Sequence, residues 1–305
     1  METPIKAQFP DEQSEDGRFI RQGDHFRSWV SADGRSGFPA VAGRYHLYVS
    51  LACPWAHRTI IVRKLKRLES AIPMTIVDPI RDERGWRYGT HFLSELYLAS
   101  DPRYHDRVTV PVLWDMETKR IVSNSDDDIM RMFETEFNAI GDPLPDLYPY
   151  DLRTEIDALN AVIYETVNDG VYRAGFATAQ DAYEEAAYRV FATLDELEQR
   201  LSTRRYLFGP HPVETDWRLF VTLIRFDPVY VGHFKCNLRR IFDYPNLYGY
   251  LRDLYQIPGV AQTVDFDHIK RHYYMTHDDI NPTRIVPIGP LQYLQSPHGR
   301  ERLSA

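Results

Sequence analysis

The chain has 305 residues, enough for two domains, and at 43% hydrophobic and 26% charged it has the composition of an ordinary globular protein. A net charge of −8 argues against a nucleic-acid partner, which would call for a basic patch, and no apolar run reaches membrane-spanning length. Two cysteines cannot build a disulfide framework, and the first residues show no signal-peptide pattern, so a reducing cytoplasm is the expected location.

Residues 1–42 are polar and rich in Gly and Pro, with Phe9, Phe19, Phe26, Trp29 and Phe38 scattered through them and no persistent period. Composition leaves two readings open: an extended segment anchored by those aromatics, or a disordered leader. Tyr45 to Ser50 then reads as a strand, and the repeat of Ile60, Ile61, Leu65 and Leu68 as a helix. Cys53 sits at the joint, with Pro54 at the first helical position, where its missing N–H costs nothing. Unpaired backbone N–H groups and the positive end of the helix dipole face such a cysteine, and that environment favours the nucleophilic thiolate. A dithiol redox site would carry a second cysteine three residues on, where this chain has Ala56. Cys53 is therefore expected to act as a monothiol resolved by an external thiol. Cys236, in a stretch that reads as helical, is expected to be a buried, inert thiol.

Pro73 to Pro79 supplies a second, parallel strand through a right-handed crossover. Residues 80–107 read as a long polar insertion of functional length. Val108 to Asp115 is a strand with Pro111 at its entrance, for which a cis Val110–Pro111 turn is the economical reading, presenting the Val110 backbone to a ligand like a strand edge. A hairpin leads into Ile121 to Asn124, Asp126 to Phe137 is helical, and Gly141 to Pro145 is a breaker-rich linker. From about residue 150 the pattern is helical: Leu152 to Asn168, Ala182 to Leu201, an all-round apolar helix over Asp216 to Val231, and a helix from Tyr244 to about Gln256. The tail from His268 to Pro290 shows no clear period. The expected domains are an extended segment at 1–42, a thioredoxin-like thiol-binding domain at 43–141, an all-helical substrate domain at 150–265, and a tail at 266–305 packing near the active site. The histidines form no recognisable metal spacing, and Asp126-Asp127-Asp128 suits a helix cap rather than a calcium loop, so no metal is expected.

Cys53-Pro54-Trp55-Ala56-His57-Arg58, Gly85-Trp86, Thr109 to Asp115, Asp216 to Phe220, Arg225-Phe226-Asp227, Tyr230 to Asn237, Ile280-Asn281-Pro282 and Val286-Pro287, taken in order, resemble the glutathionyl-hydroquinone reductases, the Xi class of the glutathione transferases. The resemblance runs from about Phe9 to Pro290. It implies a thioredoxin-like half followed by a helical half, a homodimer, and reduction of S-glutathionyl-hydroquinones. In that chemistry the cysteine attacks the thioether sulfur, and a second glutathione resolves the mixed disulfide. By the same resemblance Tyr172 and one of Tyr273 and Tyr274 are the proton donors at the ring, the aromatic substrate lies between the cysteine helix and the helical half, and Trp86, Arg107, Val110 and Pro111 with the start of the helix after Asn124 hold the thiol.

One departure stands out. The family has Glu-Ser where this chain has Ser125-Asp126, followed by two more acids, at the place where a glutathione carboxylate binds. Two readings stay open: Ser125 takes over the serine role while the acids point to solvent, or the cosubstrate is a thiol without that carboxylate, such as mycothiol, whose hydroxyls Asp126 or Asp127 could bind. The arginine-heavy composition is compatible with a GC-rich bacterium that makes mycothiol. The rivals in activity are a general thioltransferase or dehydroascorbate-type reductase, which would not need Tyr172, and a non-catalytic ligand-binding protein.

Overall fold

The computed structural model describes residues 12–82, 84–143, 145–290 and 293–304. Phe9 and the rest of residues 1–11 lie outside the described residues, as do Leu144 of the linker and part of the tail. The chain forms two compact units, one holding Gln22–Asp146 and Gln262–Ile285, the other residues 12–21, Leu147–Ala261 and residues 293–304 with 286–290.

In the first unit the strands β1 (Tyr45–Val49), β2 (Met74–Ile76), β5 (Val112–Asp115) and β6 (Arg120–Ser123) form a mixed sheet in the order β2-β1-β5-β6. β1 pairs parallel with β2 and antiparallel with β5, with Tyr48 opposite Val112. The parallel pair needs a crossover, supplied by α1 (Pro54–Leu65). α1 packs beside α3 (Asp126–Thr135), and its Ile60, Ile61 and Val62 are buried. Residues 80–107 are more ordered than their composition suggests. They hold a short hairpin, β3 (Arg87–Tyr88) and β4 (His91–Phe92), and the helix α2 (Ser94–Ser100). The tail also departs from expectation: Phe266–Thr276 is a helix, α9, within this unit, with Asp265 accepting from the His268 N–H as its cap. Its buried face is made of His268, Ile269, His272, Tyr273 and Thr276, a stripe at helical spacing that polar residue types disguise.

Residues 12–42 are extended, with isolated bridges from Gln13 to Phe19, Arg27 to Ser123 and Ser31 to Pro39. Phe19 is buried, Phe26 packs on Tyr97 and Tyr104, and the Trp29 indole donates to Glu136. Phe19, Phe26 and Trp29 are thus anchors.

The second unit is helical: α4 (Arg153–Ile163), α5 (Gly170–Gly175), α6 (Gln180–Leu201), α7 (Glu214–Arg225) and α8 (Pro245–Gln256). All of α7 is buried, as its all-round apolar pattern requires. It ends earlier than its hydrophobicity suggests, at Arg225, and a wider π-type turn follows over Phe226–Tyr230. Pro228 has no N–H for the next α-helical bond, and the ladder resumes with the Val231 N–H on the Phe226 carbonyl at 2.9 Å. α4 also gives way to a π turn, over Tyr164–Asn168, with the Asp169 N–H on the Tyr164 carbonyl at 2.8 Å.

Buried carboxylates hold this unit's loops. Asp216 in α7 accepts from the N–H groups of Val213 (2.8 Å) and Leu207 (3.0 Å) and from the Tyr250 hydroxyl of α8 (2.7 Å). Burial raises its carboxyl to about 6, above the ordinary value near 3.8. A pKa raised in the folded state contributes stability that is full below pH 4 and declines as the pH rises to 6. Asp216→Ala would strand three buried donors and is expected to cost about 3 kcal/mol in urea unfolding, with a larger difference from the parent protein at pH 4 than at pH 7.

Candidate active site

β1 delivers the chain into a tight bend at residues 50–53 and then into α1. Cys53 has the extended conformation of an N-cap residue (φ −72°, ψ 120°), and Pro54 occupies the first helical position. The Cys53 sulfur accepts from the Ala56 N–H at 3.4 Å, so the residue standing where a dithiol site has its second cysteine contributes a backbone donor to the first. As a thiol, Cys53 donates to the Val110 carbonyl at 3.5 Å. β5 lies beside β1, and the Val110–Pro111 bond at its entrance is cis. Thr109 is braced by the Tyr97 hydroxyl, which donates to its carbonyl, and by the Asn124 amide on its hydroxyl. Cys53 itself is half-buried.

Trp86, at the start of the hairpin, is buried and stacks on His272 of α9, with ring centroids 5.0 Å apart. The His272 ring is fixed in turn by a 2.8 Å contact between Nδ1 and the Pro79 carbonyl. His268, one turn earlier on α9, contacts the Ser50 hydroxyl at 3.3 Å. α9 therefore reaches both the cysteine bend and Trp86. Arg107 is half-buried, its carbonyl accepting from the Tyr104 hydroxyl at 2.6 Å. Of the two candidate tyrosines on α9, Tyr273 is 1% exposed, whereas Tyr274 remains partly open with its phenol pushed up to about 12 by burial. The residue types of His268, His272 and Arg58 carry no signal of a role until the fold shows what they touch.

The acidic start of α3 has a different environment from either of the two expected. Ser125 is the N-cap, buried, with its hydroxyl accepting from the Asp128 N–H at 3.5 Å. Asp126 is buried and paired with the buried Arg58 of α1, Nη1 to carboxylate 2.7 Å. Asp127 reaches the same guanidinium at 3.3 Å from a more open position, and Asp128 accepts a two-pronged bond from Arg27 at 2.6 and 2.7 Å. The acids neither all point to solvent nor form an uncompensated block. Two arginines share them.

In the second unit Tyr172 lies on α5, 8% exposed, against Phe234 (5.2 Å), Tyr230 (6.0 Å) and Phe176 (6.1 Å). The close approach of α5 to Phe234 requires Gly175, where a Cβ would come within 2.2 Å of that ring. Cys236 is fully buried, and burial pushes its thiol up to about 12. It follows the π turn in an irregular stretch rather than in the expected helix, its N–H bonded to the Tyr230 carbonyl at 2.9 Å. Among the described residues no group of three or more His, Cys, Asp or Glu is placed to hold a metal, and no helix is long and apolar enough to cross a membrane.

Residues 52–136 match the family model of the glutathione S-transferase N-terminal domain, and residues 180–253 that of the C-terminal domain. Glutathionyl-hydroquinone reductase YqjG of Escherichia coli is 54% identical, the match covering 95% of this chain and 94% of that protein. Its glutathione-bound structure superposes with a TM-score of 0.87 at 55% identity over 90% of this chain and 96% of the other. Glutathionyl-hydroquinone reductase PcpF of Sphingobium chlorophenolicum is 47% identical, covering 93% of each. The glutathione S-transferase Xi of Phanerochaete chrysosporium has a TM-score of 0.88 at 48% identity, covering 92% of this chain and 95% of that one.

The contrast between the two cysteines is directly measurable. Iodoacetamide at pH 7.5 should alkylate Cys53 alone, with Cys236 labelled only after denaturant is added. Peptide mass spectrometry reads both positions.

Proposed function

Because the chain belongs to the glutathionyl-hydroquinone reductases, the Xi class of the glutathione transferases, we propose that it reduces S-glutathionyl-hydroquinones with Cys53 as nucleophile. The observation that carries the reading is the half-buried Cys53 sulfur, bonded to the Ala56 N–H at the start of α1, with Ala56 in place of a second thiol. A sulfur held there is stabilised as thiolate by the helix terminus and must look outside the chain for its resolving partner.

The thiolate electron pair forms a disulfide bond with the glutathione sulfur. The carbon–sulfur bond breaks with its pair passing to the ring, and a proton from Tyr172 takes the place of sulfur on the ring carbon, leaving Tyr172 as phenolate. Passage through a keto-like tautomer makes the carbon able to release sulfur, and Tyr274, open and neutral at physiological pH, hydrogen-bonds a ring hydroxyl. A second glutathione then gives its thiol proton to Tyr172, and its thiolate attacks the mixed disulfide, releasing Cys53 thiolate and glutathione disulfide. The sum is one S-glutathionyl-hydroquinone and one glutathione converted to one hydroquinone and one glutathione disulfide.

Trp86, Arg107, the Val110 backbone, Pro111, Ser125 and Asp126 form the thiol site in this reading. Glutathione is the preferred cosubstrate, because the case for mycothiol started from uncompensated acids and Arg58 and Arg27 supply countercharge to them. A cytoplasmic homodimer completes the proposal.

Exposure to glutathione disulfide is expected to leave a mixed disulfide on Cys53, read by mass spectrometry, with a lower yield from mycothiol disulfide. Selective reaction with mycothiol disulfide would overturn the choice of thiol. Cys53→Ser should release no hydroquinone, and Tyr172→Phe should lower kcat by about a hundredfold. An unaffected Tyr172→Phe would instead favour a general thioltransferase, and an unaffected Cys53→Ser a binding protein.

A further inference from the structure

The second unit begins with residues 12–21, and the end of that segment is built around a cation. Phe19 is buried against Phe176, with ring centroids 5.3 Å apart, which fixes the chain two residues before Arg21. Arg21 Nε donates to the Asp169 carboxylate at 2.5 Å, and its Cζ lies 4.9 Å from the centroid of the Tyr172 ring. Asp169 is 2% exposed and Arg21 19%, so the pair is largely withdrawn from water. The other Asp169 oxygen accepts from Arg173 Nε at 2.9 Å. Two arginines thus share one carboxylate.

We propose that Arg21 is a positioning residue for the reaction: its guanidinium, held over the Tyr172 ring by Asp169, stabilises the phenolate that Tyr172 becomes once its proton has passed to the hydroquinone. This rests on the reading of Tyr172 as proton donor. A cation over a neutral phenol makes a modest cation–π contact, but the same cation beside a phenolate makes a charge–charge contact in a site of low dielectric. The interaction is therefore stronger after proton transfer than before it, and only such a difference speeds the step. Arginine suits the task because it keeps its proton next to an anion. Burial opposes the charge of Arg21, and Asp169, Tyr164 and Tyr172 together outweigh burial and hold the guanidinium protonated. Arg21 gives no proton to the substrate; it acts through Tyr172.

A role limited to pinning the N-terminal segment would make the effects of Arg21 and Tyr172 independent, so a double-mutant cycle separates the two. Steady-state kinetics with an S-glutathionyl-hydroquinone and glutathione would compare the parent protein with Arg21→Lys, Arg21→Gln, Arg21→Met, Tyr172→Phe and Arg21→Gln/Tyr172→Phe. Assays run below the lowest Tm of the set. Arg21→Gln should lower kcat about tenfold with KM within about twofold, Arg21→Met should match it, and Arg21→Lys should recover most of the loss. The double variant should be no slower than Tyr172→Phe alone. Multiplicative losses in the double variant, or a parental kcat in the folded neutral variants, would overturn the role of Arg21. A parental kcat in Tyr172→Phe would sink the proton-donor reading itself, a result distinct from a slow Tyr172→Phe beside an unaffected Arg21→Gln.

Discussion

The bond between the Ala56 N–H and the Cys53 sulfur is the contact from which the rest of the site follows. A helix start leaves backbone donors without partners, and here one of them is satisfied by the sulfur proposed as the nucleophile. Pro54 makes this economical by removing one donor and pre-setting the first helical φ. The sheet then decides what faces the sulfur: β5 antiparallel to β1 brings the Val110 carbonyl to 3.5 Å from it. Two of the groups that meet this sulfur are therefore main-chain groups, placed by the helix start and by the sheet.

Buried charge is the second organising constraint, and both units handle it by supplying partners. Arg58, 1% exposed on α1, needs an anion and finds Asp126 and Asp127 at the start of α3. The same ion pair ties the two helices that flank the site and tempers the acidic helix start. In the helical unit Asp216 has backbone and hydroxyl donors rather than a cation, and Asp169 has two arginines. A carboxylate stripped of water costs several kcal/mol unless such partners exist. Each of these acids therefore dictates the position of several neighbours. Asp169 is the acid on which the proposed role of Arg21 depends, because it holds that arginine over Tyr172.

Much of the architecture was legible in the chain. Alternating β-branched residues and the 3.6-residue repeat located β1, α1, α6, α7 and α8, and Pro111 before a strand pointed to the cis bond. The errors have physical causes. α9 bears its buried stripe on His268, His272, Tyr273 and Thr276, residue types that a hydrophobicity pattern does not count as core. The α-helix expected through Val231 gives way after Arg225 to a π turn that contains Pro228, which has no N–H for an α-helical bond, and Cys236 lies beyond that turn in an irregular stretch. Residues 80–107 hide a hairpin and a helix too short to show a period.

By itself the sequence determined the family and the local setting of Cys53: a cysteine ahead of a proline-started helix, with Ala56 three residues on, and a series of motifs matching one family. Those are local facts, set by backbone donors, φ restriction and residue order. Tertiary structure decided everything that depends on residues distant in the chain. It showed that Arg58 and Arg27 answer the acids of α3, that Trp86 rests on a histidine of α9, and that Arg21 lies over Tyr172, some 150 positions later in the sequence. Charge pairing and ring stacking depend on distance in space, and for these residues only the folded chain defines that distance.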